Sequence, residues 1–131
     1  MPSHAQTFGG ARTRAFHDHQ LDRQRVLAQL RRGEISARDV RDASHHLLNS
    51  AEVLGAATNR ACPLCGAPGL KDTLWIHGAG LGEKSGTARS VKEIDRVVEA
   101  YEDFSIHTVE VCMKCRWNFL IREEMIGAQV V

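Results

Sequence analysis

Helical spacing of apolar residues up to residue 58, alternating apolar and polar residues from residue 59, and two C-x-x-C pairs together predict an α+β fold. The expected architecture is an N-terminal cluster of short helices followed by a zinc-ribbon-like antiparallel β unit with an inserted helix. At 131 residues, 43% apolar and 25% charged, the chain suits one compact unit and falls outside the disordered, collagenous and membrane classes. Aromatic residues make up only 5%, so a metal cross-link would reinforce a modest core.

Residues 1–16 mix Gly, Ser, Thr and Arg without periodicity and read as a mobile tail. The region 17–58 reads as helical. LDRQRVLAQLRRG places Leu21, Val26, Leu27 and Leu30 broadly on one face, with Asp18 as the cap and Gly33 just past the end. Ser36, three residues before Asp39, forms a capping-box arrangement that would start a short helix through Val40 and Ala43. Asp42 or Ser44 can cap HHLLNSAEVLG, whose Leu47, Leu48, Ala51 and Leu54 share a face and whose Gly55 stops it. Three such helices suit packing or protein contact, and a DNA-reading helix-turn-helix is the alternative.

The region 59–127 changes texture and is expected to form one compact unit with 17–58. ACPLCGAPGLKDTLWIHG holds a Cys pair, turn residues and a strand through Leu74, Trp75 and Ile76. HGAGLGEKSG follows as a loop; then SVKE, a capping box from Ser90 to Glu93, opens a helix carrying Val91, Ile94, Val97, Val98 and Tyr101. FSIHTVEVCMKCRWNFLIREEMIG reads as two strands joined through the second Cys pair, with Trp117, Phe119 and Ile121 on one face.

Cys62 and Cys65 form one pair and Cys112 and Cys115 the other, with 46 residues between them. Two such pairs can present four thiolates to one tetrahedral Zn2+, because the tight turn aims both sulfurs of a pair at one point while backbone N–H groups offset their charge. Pro63 stiffens the first turn and Gly66 supplies freedom for positive φ after its second ligand. The second turn has Met113 and Lys114 inside it and Arg116 where a Gly would be expected. Four thiolates leave no open coordination position, which favours architecture over hydrolysis. A thiol redox sensor or oxidoreductase using one C-x-x-C is the alternative. His77 and His107 flank the strands leading to the centre and are expected to support it indirectly or to lie exposed.

The Gly-rich stretch fails as a phosphate loop of the Walker type, since Glu83 separates Gly82 from Lys84 and the helix starts only at Ser90. No nucleotide is expected. Up to Arg60 there are nine basic and six acidic residues, and beyond it eight and ten, so the formal balance moves from +3 to −2. That excess is small for a nucleic-acid binder, and nucleic acid stands as a weakly supported partner. Arg31, Arg32, Arg38 and Arg41 on the helices, with Lys84 and Arg89 in the loop, are the candidate contacts for a protein or ribonucleoprotein partner. Trp75 and Trp117 are candidate structural anchors. No run approaches the roughly 20 apolar residues of a membrane span, and the N-terminus lacks a signal-peptide core, so a soluble cytoplasmic protein is expected.

DASHHLLNSA (42–51), CPLC, WIHG (75–78), SGTAR (85–89) and VEVCMKCRWNFL (109–120) together resemble a family of small actinobacterial proteins catalogued as a domain of unknown function, over roughly residues 18–127. The resemblance implies one cytoplasmic domain with paired Cys knuckles. It also implies His where this chain has Phe119 and Pro where it has His45. It supplies no reaction. The expectation is a non-enzymatic structural-zinc module that contacts a macromolecular partner in transcription or translation.

Overall fold

The structure, a computed structural model, describes residues 7–128. Its frame is a six-stranded antiparallel sheet ordered β1-β6-β5-β3-β2, with β4 also on β3. The strands are β1 (Thr13–Asp18), β2 (Ala56–Ala57), β3 (Lys71–His77), β4 (Thr87–Arg89), β5 (Phe104–Val111) and β6 (Asn118–Ile126). The helices are α1 (Gln20–Arg31), α2 (His45–Leu54) and α3 (Val91–Ala100), with 3-10 turns at Gly10–Arg12, Ala37–Val40 and Ala79–Lys84. The α+β class and the antiparallel unit carrying an inserted helix, α3, are therefore present.

Alternation along β3, β5 and β6 sorts the side chains. Leu74, Ile76, Phe104, Ile106 and Ile126 form one apolar area, which α3 covers with Ile94, Val97 and Val98. That helix starts at the expected capping box: Ser90 Oγ accepts from Glu93 N–H, and the Glu93 carboxylate accepts from Ser90 N–H. Farther along the same face, Trp117 and Leu70 lie beneath Val26, Leu27 and Leu30 of α1. Val109 and Val111 point to the opposite face, where Leu47, Leu48 and Ala51 of α2 pack on them. Thus α1 and α2 clasp the sheet from opposite faces, and no helix-turn-helix pair forms. The short apolar stripes of these helices find a larger partner in the sheet than in each other.

The caps resolve as local signals. Ser44, rather than Asp42, accepts from Leu47 N–H at the start of α2. The N-cap of α1 is His19 rather than Asp18, which ends β1 and accepts from Gln20 N–H, and Gly33 takes φ 74 beyond the helix end. The segment from Ser36 keeps its capping box but closes as one 3-10 turn, Ala37–Val40, instead of continuing through Ala43. Ala43 is drawn out of it, donating its N–H to the Arg116 carbonyl.

Further stretches differ from the expectation, among them Ala56–Ala57 of the region read as helical, which form strand β2. Residues 13–16 of the supposed tail belong to strand β1, paired with β6; residues 1–6 of that tail lie outside the described residues. The cause is tertiary. Buried Glu124 on β6 accepts N–H donors from Phe8 and Gly9 and the Thr13 hydroxyl, while Arg12 donates to the Gly127 carbonyl. Another difference is the glycine-rich loop, which contains a 3-10 turn and ends in β4, with Ala88 opposite Trp75.

Candidate metal centre

Two tight turns meet at one end of the sheet. The first, Cys62–Cys65, precedes β3; the second, Cys112–Cys115, joins β5 to β6. Their hydrogen bonding is equivalent. Gly66 N–H donates to the Cys62 carbonyl and Cys62 N–H to the Ala67 carbonyl; Arg116 N–H donates to the Cys112 carbonyl and Cys112 N–H to the Trp117 carbonyl. The residue after each pair is left-handed, Gly66 at φ 76 and Arg116 at φ 74. Arg116 therefore occupies a glycine-type position. Arg116→Gly should relieve roughly 0.5–1 kcal/mol of backbone strain. The thermal midpoint of the variant should rise by a few degrees with metal content unchanged. A fall would mean that the Arg116 charge matters more than its backbone.

The four sulfurs converge within 4.8 Å of one another. Cys62 Sγ lies 3.6 Å from Cys115 Sγ, and Cys65 Sγ 3.6 Å from Cys112 Sγ. Both gaps are far longer than a disulfide bond of about 2.05 Å. They are close to the spacing of about 3.8 Å that tetrahedral metal–sulfur bonds of about 2.3 Å impose. Both of these approaches run between the turns, which suits one shared ion. Leu64 N–H donates to Cys62 Sγ and Cys115 N–H to Cys112 Sγ, each at 3.4 Å, offsetting thiolate charge as such turns do. The four cysteines can thus hold a metal ion.

Burial divides the thiols. Cys62 and Cys112 are buried, Cys115 is half-buried and Cys65 is exposed. Burial pushes the Cys62 thiol up to about 12 and raises Cys112, while the backbone hydrogen bond from Ala67 brings Cys65 down to about 7. Cys65 is the ligand that most readily presents as thiolate. An arriving cation would have to displace the protons from the buried two.

Beneath this end lies a charged cluster. Glu110 on β5, 1% exposed, accepts from Arg23 Nε at 2.5 Å, from Trp117 Nε1 at 2.9 Å and from Arg60 at 3.3 Å. Arg23 also lies over the Trp117 ring, which stacks on Phe119. Trp117 is wholly buried, so its role as an anchor rests on packing and on this hydrogen bond. Trp75 is half-buried on the α2 face, tilted against His46. The stack of Trp117 on Phe119 agrees with their expected shared face, whereas Glu110 in a strand carries no sequence signal for its part in the cluster.

His77 and His107 lie on the α2 face, up the strands from the sulfurs, His77 at the far end of β3. Their rings are 4.3 Å apart, and Glu123 bridges His19 Nε2 at 2.8 Å and His107 Nε2 at 3.4 Å. Ser105 Oγ also meets His107 Nε2, at 3.2 Å. Serine and carboxylate thus compete for one ring nitrogen, whereas a nucleophile relay needs them on opposite nitrogens.

The hydrogen bond to Glu123 raises His19 and lowers Glu123, while burial, with the His77 charge, lowers His107. The His19 contribution to stability is full below the ordinary imidazole value and fades as pH rises through its elevated one. The Glu123 contribution is full above the ordinary carboxylate value and fades only as pH falls through its depressed one. His107 acts oppositely to His19: the unfolded chain protonates first, so stability falls as pH drops through the ordinary imidazole range. Urea midpoints between about pH 5 and 8 should therefore lose their alkaline decline in His19→Gln and their acid decline in His107→Gln. Each effect should stay below about 1 kcal/mol because the groups are partly solvated.

The six candidate partner contacts separate into two groups. The register sets Lys71 opposite Val111 at the cysteine end and His77 opposite Ser105 at the other. Arg31, Arg32, Arg38 and Arg41 are exposed on and after α1, whose Leu30 and whose following Val40 pack on the cysteine cluster. Lys84 and Arg89 belong to the far end, beside α3.

Fold and site define an α+β sheet protein with a four-cysteine, metal-competent centre between two equivalent turns. Residues 11–131 match the family of unknown function DUF5318, and the chain belongs to it. It is 34% identical over 111 residues to the uncharacterized protein Rv0049 of Mycobacterium tuberculosis H37Rv, covering 85% of this chain and 81% of the relative. The same figures hold for the uncharacterized protein Mb0050 of Mycobacterium bovis. No solved structure matches the chain.

Proposed function

We propose that this protein is a non-enzymatic binding module in which Cys62, Cys65, Cys112 and Cys115 hold one structural Zn2+. Its cysteine end contacts a macromolecular partner, a protein or ribonucleoprotein of transcription or translation. The observation that carries the reading is the convergence of four sulfurs from two equivalent turns. An all-sulfur tetrahedral set suits zinc, and with all four bound no position is left for a substrate. Arg31, Arg32, Arg38 and Arg41 are exposed on and after α1, whose Leu30 and following Val40 pack on the cysteine cluster, and Met113 and Lys114 are exposed on the second turn. No helix among the described residues is long and apolar enough to cross a membrane. A reducing cytoplasmic setting would keep the thiols available to the metal.

Metal analysis with sulfur-edge and metal-edge spectroscopy should return one zinc per chain with four sulfur ligands; iron, or an oxygen ligand in the shell, would overturn the structural-zinc reading. For the partner, native capture should bring down a ribosomal or RNA-polymerase component. Arg31→Glu, Arg38→Glu and Arg41→Glu combined should abolish that capture while leaving the metal in place. Capture that survives the triple variant sinks the assignment to this end.

The redox alternative has one observation in its favour, the exposed Cys65 with its thiol lowered to about 7. Against it, neither C-x-x-C opens a helix that would activate a thiolate, since both lead into turns and strands. Thiol titration separates the two: shielding of all four until a chelator is added supports the metal, and a reactive metal-free pair supports redox chemistry.

A further inference from the structure

A second site lies at the opposite end of the sheet, where β4 and α3 enclose an open pocket of about 220 Å3. Lys84, Arg89 and Arg96 line it, with Glu93 as the one carboxylate. Arg89 pairs with Leu74 across β3, so its side chain leaves the sheet on the face that α3 covers. There its Nε–H is buried without an acceptor, and among the described residues only Thr73 Oγ1 shares that condition. Leaving a buried guanidinium donor without an acceptor is costly, because the group gives up water and gains nothing in return.

The protein does not supply the missing acceptor. Glu93 gives one oxygen to the Ser90 N–H cap at 2.9 Å, and its other oxygen stays 3.8 Å from Arg89 Nη1. Lys84 Nζ donates to Tyr101 Oη at 2.8 Å, which leaves the phenol hydrogen free to donate onward. Three cations against one carboxylate leave a formal charge of +2 around the pocket. That matches a phosphate monoester, which carries about −1.5 to −2 near neutrality. Guanidinium, ammonium and phenol donors are the groups that phosphate oxygens accept from, and Val97 and Ala100 offer an apolar wall to the carbon skeleton beyond.

We propose that this pocket binds the phosphate group of a small phosphomonoester, with Arg89 as its central ligand and Arg96, Lys84 and the Tyr101 hydroxyl completing the grip. The site is distinct from a Walker loop. It uses side chains from β4 and α3, whereas the glycines contribute only the turn that brings Lys84 round. It does not depend on the metal centre or on the partner assigned to the other end.

The test is an amide-resolved NMR titration of the intact metal-loaded protein at low salt with inorganic phosphate, glycerol 3-phosphate and acetate. Saturable shifts confined to Lys84, Arg89, Arg96, Tyr101 and their neighbours are expected with both phosphates, the ester binding at least as tightly as phosphate alone. Arg89→Lys keeps the charge but loses the buried Nε and should weaken binding about tenfold. Arg96→Ala, on the exposed side of α3, gives a variant with little folding risk and should also weaken it. The proposal is overturned by acetate binding as tightly as phosphate, by shifts that do not saturate by about 10 mM, or by affinity unchanged in both variants.

Discussion

Cys112→Ser should lose its metal and its cooperative thermal unfolding together. The two turns are separated by 46 residues, and the apolar cluster around them contains Leu70 and Trp117. A structural zinc site contributes about 10–16 kcal/mol of apparent binding free energy. A domain of this size is stable by about 5–15 kcal/mol in total, so the metal and the fold of this end are inseparable on magnitude alone. Cys112 is buried, so a serine there also buries a hydroxyl in place of a thiol. Cys65 removes that ambiguity because it is exposed. Cys65→Ser should therefore cost nearly as much as Cys112→Ser if metal loss dominates, and little if packing does. Circular dichroism melts of both variants, with and without chelator, read the difference. A wild-type melt unchanged by chelator would sink the prediction.

Glu110→Ala is expected to be the most damaging substitution away from the cysteines. The carboxylate is almost fully buried and faces Arg23, Arg60 and the Trp117 indole N–H. Removing one partner from a buried charge cluster costs about 3–5 kcal/mol, because the remaining charges and donors lose their acceptor. In a chain of this length such a loss corresponds to a fall in melting temperature of about 10 °C or more. Glu110→Gln should fall between, since an amide oxygen can still accept from Trp117 but no longer neutralises Arg23. Arg23→Met, which removes the charge and keeps an apolar stem over the Trp117 ring, should recover part of the loss in the Gln background. A loss below about 1 kcal/mol for Glu110→Ala would show that the cluster is hydrated and replaceable.

The difference between what the sequence announced and what it concealed follows interaction range. Capping boxes at Ser36 and Ser90 and the C-x-x-C turns are complete within a few residues, and all formed as read. Strand β1 was illegible because TRAFHD has no two-residue alternation of its own; the edge of β6 and the Glu124 carboxylate hold it. Glu110 would pass for a solvent-facing residue in any window of the sequence, and its carboxylate is enclosed by Arg23 of α1 and by Arg60, both distant in the chain, together with Trp117. The equivalence of Gly66 and Arg116 was half visible. The motif pointed to a glycine-type position, and the backbone shows arginine adopting the required φ. For the candidate contacts, composition could find the cations but could not divide them between the two ends of the sheet.

The pairing of β1 with β6 also sets an order of events. These strands are the first and last among the described residues, yet they are neighbours, with Thr13 opposite Ile126. As the polypeptide leaves the ribosome, β1 emerges with no strand to receive it and must wait until β6 has been made. A metal ion captured by the second cysteine turn would join β3 to β5 just before that moment, giving β6 a prepared edge. Closure of β1 on β6 is then the late, long-range step, with the loop-closure penalty that slows such topologies. Until it occurs, the newborn chain exposes the unpaired edge of β6, and this interval is when it would be most open to mispairing with another copy.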